Sequence, residues 1–178
     1  GVYAAVSWAQ GLAAKDPVIF SMIFHCKTLV YLMSGMATLV FLVNALFWNV
    51  PYLQRNYGVS ASEVGTILGV GSIIVGIVGV LAGGVLADRL RAYTSSGKLY
   101  VLLVGMVGSV FCCLIMLTTK QLYIAYASAL LFGLCFSLTI PTVLTTLNDL
   151  MIPRGRATIS AFYVMLVSLS GPALAPYI

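Results

Sequence analysis

The sequence predicts an all-α membrane protein, a polytopic bundle of helices that cross the bilayer. Of its 178 residues, 61% are hydrophobic and only 7% are charged, whereas about a quarter of the residues in a soluble domain are charged. The apolar residues form runs of about 20, the length that crosses a hydrocarbon core of about 30 Å. Short polar segments separate these runs, so the sequence predicts several crossings rather than one anchor.

The N-terminal part of the sequence is predicted to be a linker with amphipathic character. Residues 1–16 lack the basic region, short apolar core and cleavage site of a secretory signal. Five membrane-spanning helices are predicted to follow, at about residues 28–50, 62–87, 99–118, 121–150 and 155–178.

Local signals justify the ends of the first two predicted spans. The first span begins after Lys27 and is predicted to end at Pro51, with Trp48 at the level of an interfacial aromatic belt. The second span follows Ser60 and Glu63, which have the spacing of a capping box. These signals predict a polar connector between two separate helices.

The remaining spans follow the longest hydrophilic segment, residues 88–98. The third span is uniformly apolar and is followed by a very short turn. The fourth is too long for an untilted crossing and contains Pro141, whose missing amide hydrogen predicts a kink. The fifth begins after Pro153 and is expected to remain in the membrane up to Ile178.

The basic residues predict the orientation of the bundle. Loops rich in Lys and Arg tend to remain in the cytoplasm. On one side lie Arg55 and Lys120, and on the other lie Lys15, Lys27, Arg89, Arg91, Lys98, Arg154 and Arg156. The N-terminal end of this segment is therefore predicted to be cytoplasmic. Because the basic residues are scattered singly, without a basic stripe, no nucleic-acid partner is expected.

The second span carries a stripe of small residues. Its members are three or four positions apart and so share a helix face: Gly65, Gly69, Ser72, Gly76, Gly79, Gly83 and Ala87. Small residues let helices approach closely in lipid. The stripe predicts a tightly packed interface, and a surface on which moving parts slide is the alternative that remains open.

Two stretches carry a resemblance to a known family. The run Gly84-Val85-Leu86-Ala87-Asp88-Arg89-Leu90-Arg91 resembles the loop signature of the major facilitator superfamily, although Arg91 replaces the second glycine. Residues 153–157, with Ser160-Ala161 and Gly171-Pro172 after them, resemble the connection between the fourth and fifth helices of a transporter half. Within the superfamily, residues 48–53, residues 58–60 and the Pro-Arg-Gly-Arg stretch at residues 153–156 are similar to spinster-type lipid transporters.

This resemblance implies half of a major facilitator fold. The chain would supply the seventh to eleventh of twelve helices, and an N-terminal half of six helices would be its partner. The resemblance also implies a cytoplasmic gate on one side of the bundle, formed by Gly84, Asp88, Arg89, Arg91, Arg154 and Arg156. Asp88 and Arg89 would latch the gate by meeting a facing helix end, and a solvated charge pair is the simpler alternative.

A substrate cavity is predicted along the first and fourth spans, the helices that line the cavity in the resembled family. A side-chain amide at membrane depth needs a hydrogen bond or a wet cavity, and the fourth span carries a mildly polar stripe. The residues expected to face the cavity are Asn44, Trp48, Phe132, Thr139 and Thr142. The alternative is that the hydroxyl groups bond to their own helix.

The resemblance implies a secondary transporter that works by alternating access. The expected substrate is a small amphiphile such as a lysolipid or sphingolipid, moved with protons across the plasma or inner membrane. A drug or organic-anion exporter of the same superfamily remains open, as does a channel or structural membrane subunit. Because the four acidic residues lie near span ends or in the linker, the titrating carboxylate is expected in the other half.

Catalytic chemistry is not predicted. The sequence offers no Ser-His-Asp arrangement, phosphate loop or metal-ligand spacing, so no enzyme activity, metal or cofactor is expected. The four cysteines lie in apolar runs without Cys-x-x-Cys spacing. They are predicted to be small packing residues, and His25 is predicted to be an interfacial residue.

Overall fold

The computed structural model describes residues 7, 10–12, 14, 16–45, 48–94 and 96–170. From residue 16 onward, these residues form helices α1 (Pro17–His25), α2 (Lys27–Ala45), α3 (Asn49–Tyr57), α4 (Ala61–Tyr93), α5 (Gly97–Thr118), α6 (Leu122–Leu150) and α7 (Arg156–Ser170), with a 3-10 turn at Pro153–Gly155. The described residues contain no β-strand, and the all-α prediction is confirmed.

The chain divides into two compact units. The first unit comprises Gly1–Phe47 and Leu147–Ile178, and the second comprises Trp48–Thr146. Helices α1, α2 and α7 therefore belong to the first unit, while α3, α4, α5 and most of α6 belong to the second.

Four of the described helices are long and apolar enough to cross a membrane, namely α2, α4, α5 and α6. On α4 and α5, large apolar side chains such as Ile73, Leu81 and Val104 are strongly exposed. In water this much exposed apolar surface would be unfavourable, whereas lipid solvates it. The fifth predicted span corresponds to α7, and its last part, residues 171–178, lies outside the described residues.

The first predicted span differs from the structure at both ends. Helix α1, Pro17–His25, already lies within the predicted linker, and it ends at Cys26, whose backbone is extended (φ −75°, ψ 103°). The prediction that a helix ends at Pro51 is wrong, because Pro51 is the third residue of α3. A proline is tolerated there, since amides in the first turn of a helix have no intrahelical acceptor.

The start of α4 follows the predicted capping pattern, but its end does not. The Ser60 side chain accepts a hydrogen bond from the Glu63 amide at 3.2 Å, so the predicted N-cap is confirmed. The helix continues to Tyr93, six residues past the predicted end at residue 87. Residues 88–93 are polar but include good helix formers such as arginine, leucine and alanine, so polarity here marks the end of the apolar run and not the end of the helix.

In the second unit, α6 packs closely against both α4 and α5. A Cβ atom at Gly79 would lie 2.6 Å from the Cβ of Ser137, and one at Gly83 would lie 2.5 Å from the carbonyl oxygen of Leu138. A Cβ atom at Gly105 on α5 would lie 2.5 Å from Cγ2 of Thr139. Glycine is required at these positions because the helix backbones approach too closely for a side chain.

The structure divides the small-residue stripe of α4 into two parts. Gly79, Gly83 and Ala87 are buried, and the two glycines contact α6. A Cβ atom at Gly65, Gly69 or Gly76 would meet no atom within 4 Å in the described part of the chain. The stripe is therefore not one continuous contact of this chain, because α4 faces α6 with different residues along its length.

Helix α3 packs against the end of α5 through two tyrosines. The hydroxyl of Tyr57 donates to the carbonyl oxygen of Thr119 at 2.7 Å, and that of Tyr52 donates to Leu117 at 3.2 Å. The last carbonyl groups of a helix lack intrahelical donors, so the two hydroxyls satisfy acceptors near the C-terminus of α5. Leu53, between the tyrosines, is fully buried with Val64.

We expect Tyr57→Phe to lower the free energy of unfolding of the second unit by about 1 kcal/mol, the net value of one hydrogen bond. Burial raises the pKa of Tyr57, and the neighbouring Tyr52 raises it further. The folded state thus favours the neutral phenol, so this stabilisation is present below about pH 10 and is lost at higher pH as the phenol ionises.

Thermal unfolding in detergent at pH 7.5 and at increasing alkaline pH would measure this effect. Tyr123→Phe is the matched control, since Tyr123 is 85% exposed. Equal unfolding temperatures for the Tyr57 variant and the parent protein at pH 7.5 would contradict the assigned bond.

Candidate functional site

The residues of the family-like signature lie on the last turns of α4. Gly84, Asp88 and Arg91 share one side of the helix, because spacings of three and four residues return to a similar angle, whereas Arg89 points in another direction. Asp88, Arg89 and Arg91 are exposed, and a Cβ atom at Gly84 would meet no described atom within 4 Å. The signature is thus a helical surface that is accessible to a partner.

The two other predicted gate residues belong to the first unit and have structural contacts there. Arg156 donates through Nε to the carbonyl oxygen of Asn148 at 3.1 Å, near the C-terminus of α6, where a cation is favoured by the helix dipole. Arg154 lies 4.0 Å from the Asp16 carboxylate, and both side chains are largely exposed. Such an exposed ion pair contributes little to stability.

Asn148 also joins α6 to α7 directly. The Ser160 hydroxyl donates to Oδ1 of Asn148 at 3.2 Å, so this one residue accepts bonds from both Arg156 and Ser160. Asn148 was not among the predicted site residues. Its position five residues before Pro153, where α6 has to end, is the signal that could have indicated a capping role.

Three predicted cavity residues, Phe132, Thr139 and Thr142, are buried within the second unit. The Thr139 hydroxyl donates to the carbonyl oxygen of Phe136 at 2.7 Å. The Thr142 hydroxyl donates to the carbonyl oxygen of Leu138 at 3.0 Å and lies 3.5 Å from the carbonyl oxygen of Gly83. These hydroxyls bond to backbone carbonyls. In the structure as described, Thr139 packs against α5 and Thr142 packs against α4.

The other two predicted cavity residues are more accessible. Trp48, immediately before α3, is 62% exposed. Asn44, near the end of α2, is half-buried, and its Nδ2 donates to the carbonyl oxygen of Val40 at 2.9 Å. This bond uses the donor side of the amide, so the carbonyl oxygen of the Asn44 side chain is the group that could accept a hydrogen bond from a ligand.

The glycines of α5 were not among the residues predicted to lie at a helix interface. Gly97 packs against the backbone of Leu90, and Gly105 and Gly108 pack against Thr139 and Cys135. A small-residue face can be detected on α5 from the sequence, because its members Gly105, Gly108 and Cys112 are three and then four residues apart.

A family model described as "Major Facilitator Superfamily" matches residues 4–176. The fold is similar to the crystal structure of a bacterial homolog of the human lysosomal transporter Spinster, in an inward-facing and occupied conformation, with a TM-score of 0.66 and 22% sequence identity. This match covers 92% of the present chain and 33% of the other, so the chain spans about a third of that protein's length. A search of curated proteins gave no match.

Proposed function

Because the chain belongs to the major facilitator superfamily, we propose that it forms one half of a secondary transporter that moves a solute across a membrane. The family match over residues 4–176 is the observation that carries the proposal. Four described helices long and apolar enough to cross a membrane support it. The proposed function is therefore that of a carrier and not of an enzyme.

The proposed mechanism is alternating access with a second half as partner. In such carriers, two repeats or bundles rock around a site near the middle of the membrane, which opens alternately to each side. An N-terminal half of six helices is the proposed partner and would supply the opposing surfaces; the chain itself spans about a third of the Spinster homolog. The basic residues Arg89, Arg91 and Lys98, which follow Asp88, support a cytoplasmic location for the C-terminal end of α4.

An amphiphile such as a lysolipid or sphingolipid is the proposed substrate. The spinster-like stretches at residues 48–53 and 58–60 support this class. Exposed Trp48 offers an aromatic surface for an apolar chain, and the side-chain amide of Asn44 offers a polar contact for a head group. Thr139 and Thr142 would reach a substrate only if α6 moved away from α5 or α4.

Proton coupling is proposed to depend on a carboxylate in the partner half. Coupling generally uses an ionisable residue inside the membrane. In this chain, however, the four acidic residues lie at or beyond helix ends. Glu63 is in the first turn of α4 and Asp88 is near the end of the same helix. Asp149 is near the end of α6, and Asp16 precedes α1. None of these positions is in the middle of a span, so this half would contribute the moving surface and the other half the titrating group.

Reconstitution of the whole protein into liposomes tests the proposed function. We expect saturable uptake of a labelled lysolipid or sphingolipid, accelerated by a pH gradient and abolished by a protonophore. Saturable transport of a drug or organic anion instead would favour the exporter alternative. Unsaturable flux far above carrier turnover would indicate a channel, and the absence of flux for all these solutes would favour a structural subunit.

The same assay tests the proposed contact at Trp48. We expect Trp48→Ala to raise the substrate concentration for half-maximal uptake about tenfold, the equivalent of about 1.4 kcal/mol. Because Trp48 is 62% exposed, the fold should tolerate the change. Tyr123→Ala, at another strongly exposed aromatic residue, is the control. An equal change in both variants would remove the special role of Trp48.

The proposed gate can be tested at Asp88. We expect Asp88→Asn to weaken a cytoplasmic latch by about 1 kcal/mol, and so to change the labelling rate of a cysteine introduced at Thr142 by about fivefold. Glu63→Gln, at the opposite end of α4, is the matched control. Equal labelling rates in the Asp88 variant and the parent protein would rule out the latch.

A further inference from the structure

Cys112 on α5 and Cys135 on α6 face one another across a close helix contact. The sulfur of Cys135 would lie 3.0 Å, and its Cβ 3.7 Å, from a Cβ atom placed on Gly108. The absence of a side chain at Gly108 therefore leaves room for the thiol of Cys135 against the backbone of α5. Cys112 is one turn further along α5, on the same face as Gly108.

The direction of the Cys112 side chain completes this arrangement. In an α-helix each Cα–Cβ bond is tilted toward the N-terminus, so a residue covers the turn before its own. The Cys112 thiol is thus directed toward Gly108, where the Cys135 sulfur lies, and the two side chains interact. Cys112 is buried, Cys135 is half-buried, and both are free thiols.

We propose that Cys112 and Cys135 form a redox-modification site, a pair of thiols that a lipid-permeant disulfide oxidant converts into a disulfide bond between α5 and α6. The thiolate of half-buried Cys135 attacks one sulfur of the reagent, breaks its S–S bond and releases one reagent thiol. The thiol of Cys112 then loses its proton and attacks the sulfur of Cys135 in this mixed disulfide, releasing the second reagent thiol. The pair loses two electrons and two protons, and the reagent is reduced by the same two electrons.

Such a bond would have a mechanical consequence. The two helices are consecutive and are joined at one end by a connection of a few residues, between Thr118 and Leu122. A disulfide between Cys112 and Cys135 would add a covalent link beyond that connection, beside the close contacts of Gly105 and Gly108 with α6. Oxidation would therefore prevent α5 from moving away from α6.

The test uses the whole protein in lipid nanodiscs, with Cys26 and Cys113 and any cysteine outside this chain replaced by serine. After treatment with 4,4′-dithiodipyridine, we expect two thiopyridone molecules per protein, a protein mass lower by about 2 Da, and a Cys112–Cys135 cross-linked peptide after non-reducing digestion. The product should migrate as a monomer, unfold several degrees higher than the reduced protein, and return to the starting state with dithiothreitol.

Single-cysteine variants provide the matched controls. Cys112→Ser and Cys135→Ser should each release one thiopyridone and retain a stable pyridyl adduct, with no cross-linked peptide. Stable adducts on both cysteines of the pair would overturn the proposal, since they would show that the thiols cannot reach one another. A pair that stays unreacted while Cys113 is labelled in a separate Cys113-only variant would overturn it as well.

Discussion

Replacing Gly83 by alanine should largely unfold the second unit, whereas the same replacement at Gly76 should leave it folded. The new Cβ at Gly83 would lie 2.5 Å from the carbonyl oxygen and 2.9 Å from Cα of Leu138. These are backbone atoms of α6 and cannot rotate away as the end of a side chain could. We expect a loss of about 3 kcal/mol, at the upper end of the overpacking range.

The backbone at Leu138 has little freedom to relieve this overlap. Its carbonyl oxygen accepts a bond from the Thr142 hydroxyl at 3.0 Å, and α6 is also packed against Gly105 of α5 on another face. A shift of α6 away from α4 would therefore disturb two interfaces. Because alanine is a better helix former than glycine by about 1 kcal/mol, any loss at Gly83 reports packing and not helix propensity.

Thermal unfolding and the yield of monodisperse protein in detergent would measure this difference. Gly76→Ala is the matched control, because Gly76 lies seven residues earlier in the same stripe and a Cβ there would meet no described atom within 4 Å. Similar unfolding temperatures for the two variants would show that α4 does not contact α6 as described.

Gly97→Ala is expected to have an effect of similar size at the junction of α4 and α5. A Cβ at Gly97 would overlap the carbonyl group of Leu90 and the amide nitrogen of Arg91. Two backbone hydrogen bonds of the turn hold these atoms in place. The Thr94 amide donates to the carbonyl oxygen of Leu90 at 2.9 Å, and the Gly97 amide donates to the carbonyl oxygen of Thr94 at 2.9 Å. We again expect a loss of about 3 kcal/mol.

The neighbouring residue supplies the control for this change. Ser96 is exposed and precedes α5, and its side chain makes no capping bond, so Ser96→Ala should shift the unfolding temperature very little. Limited proteolysis between α4 and α5 gives a second readout, because loss of the Gly97 contact should open this turn to cleavage. A Gly97→Ala protein as stable and as resistant as the Ser96 variant would contradict the described junction.

Gly83 and Gly97 show what a sequence pattern can and cannot identify. Gly76 and Gly83 occupy equivalent places in the small-residue stripe, yet only Gly83 contacts α6. Gly97 belongs to no stripe and still lies against a backbone. Spacing predicts which residues share a face of one helix, but it carries no information on where a second helix crosses that face.

The polar residues of α6 illustrate a similar limit. Their spacing predicts a shared face, and the structure places Thr139 and Thr142 on buried surfaces, where their hydroxyls bond to backbone carbonyls. A threonine can satisfy its hydroxyl within its own helix, so its polarity does not require a wet cavity. Their assignment to a substrate site stays a prediction, as do the assignments of Asn44, Trp48 and Phe132.

Proline and loop signals were only partly informative. Pro51 was expected to end a helix but lies in the first turn of α3, and the hydrophilic segment after residue 87 continues α4 for six residues. By contrast, Ser60 and Glu63 marked the start of α4 correctly. A cap is a local interaction between residues three apart and is encoded locally, whereas the effect of a proline depends on its position in a helix.

The sequence by itself determined the class of fold and the family, because both follow from composition and local order. Apolar runs long enough to cross a membrane require helices in lipid, and the run from Gly84 to Arg91 indicated the superfamily whose model matches the chain. Only the tertiary structure decided which glycines lie between helices, that Arg156 caps α6, and that Cys112 and Cys135 meet. These contacts join residues of different helices, and their geometry depends on how the helices cross.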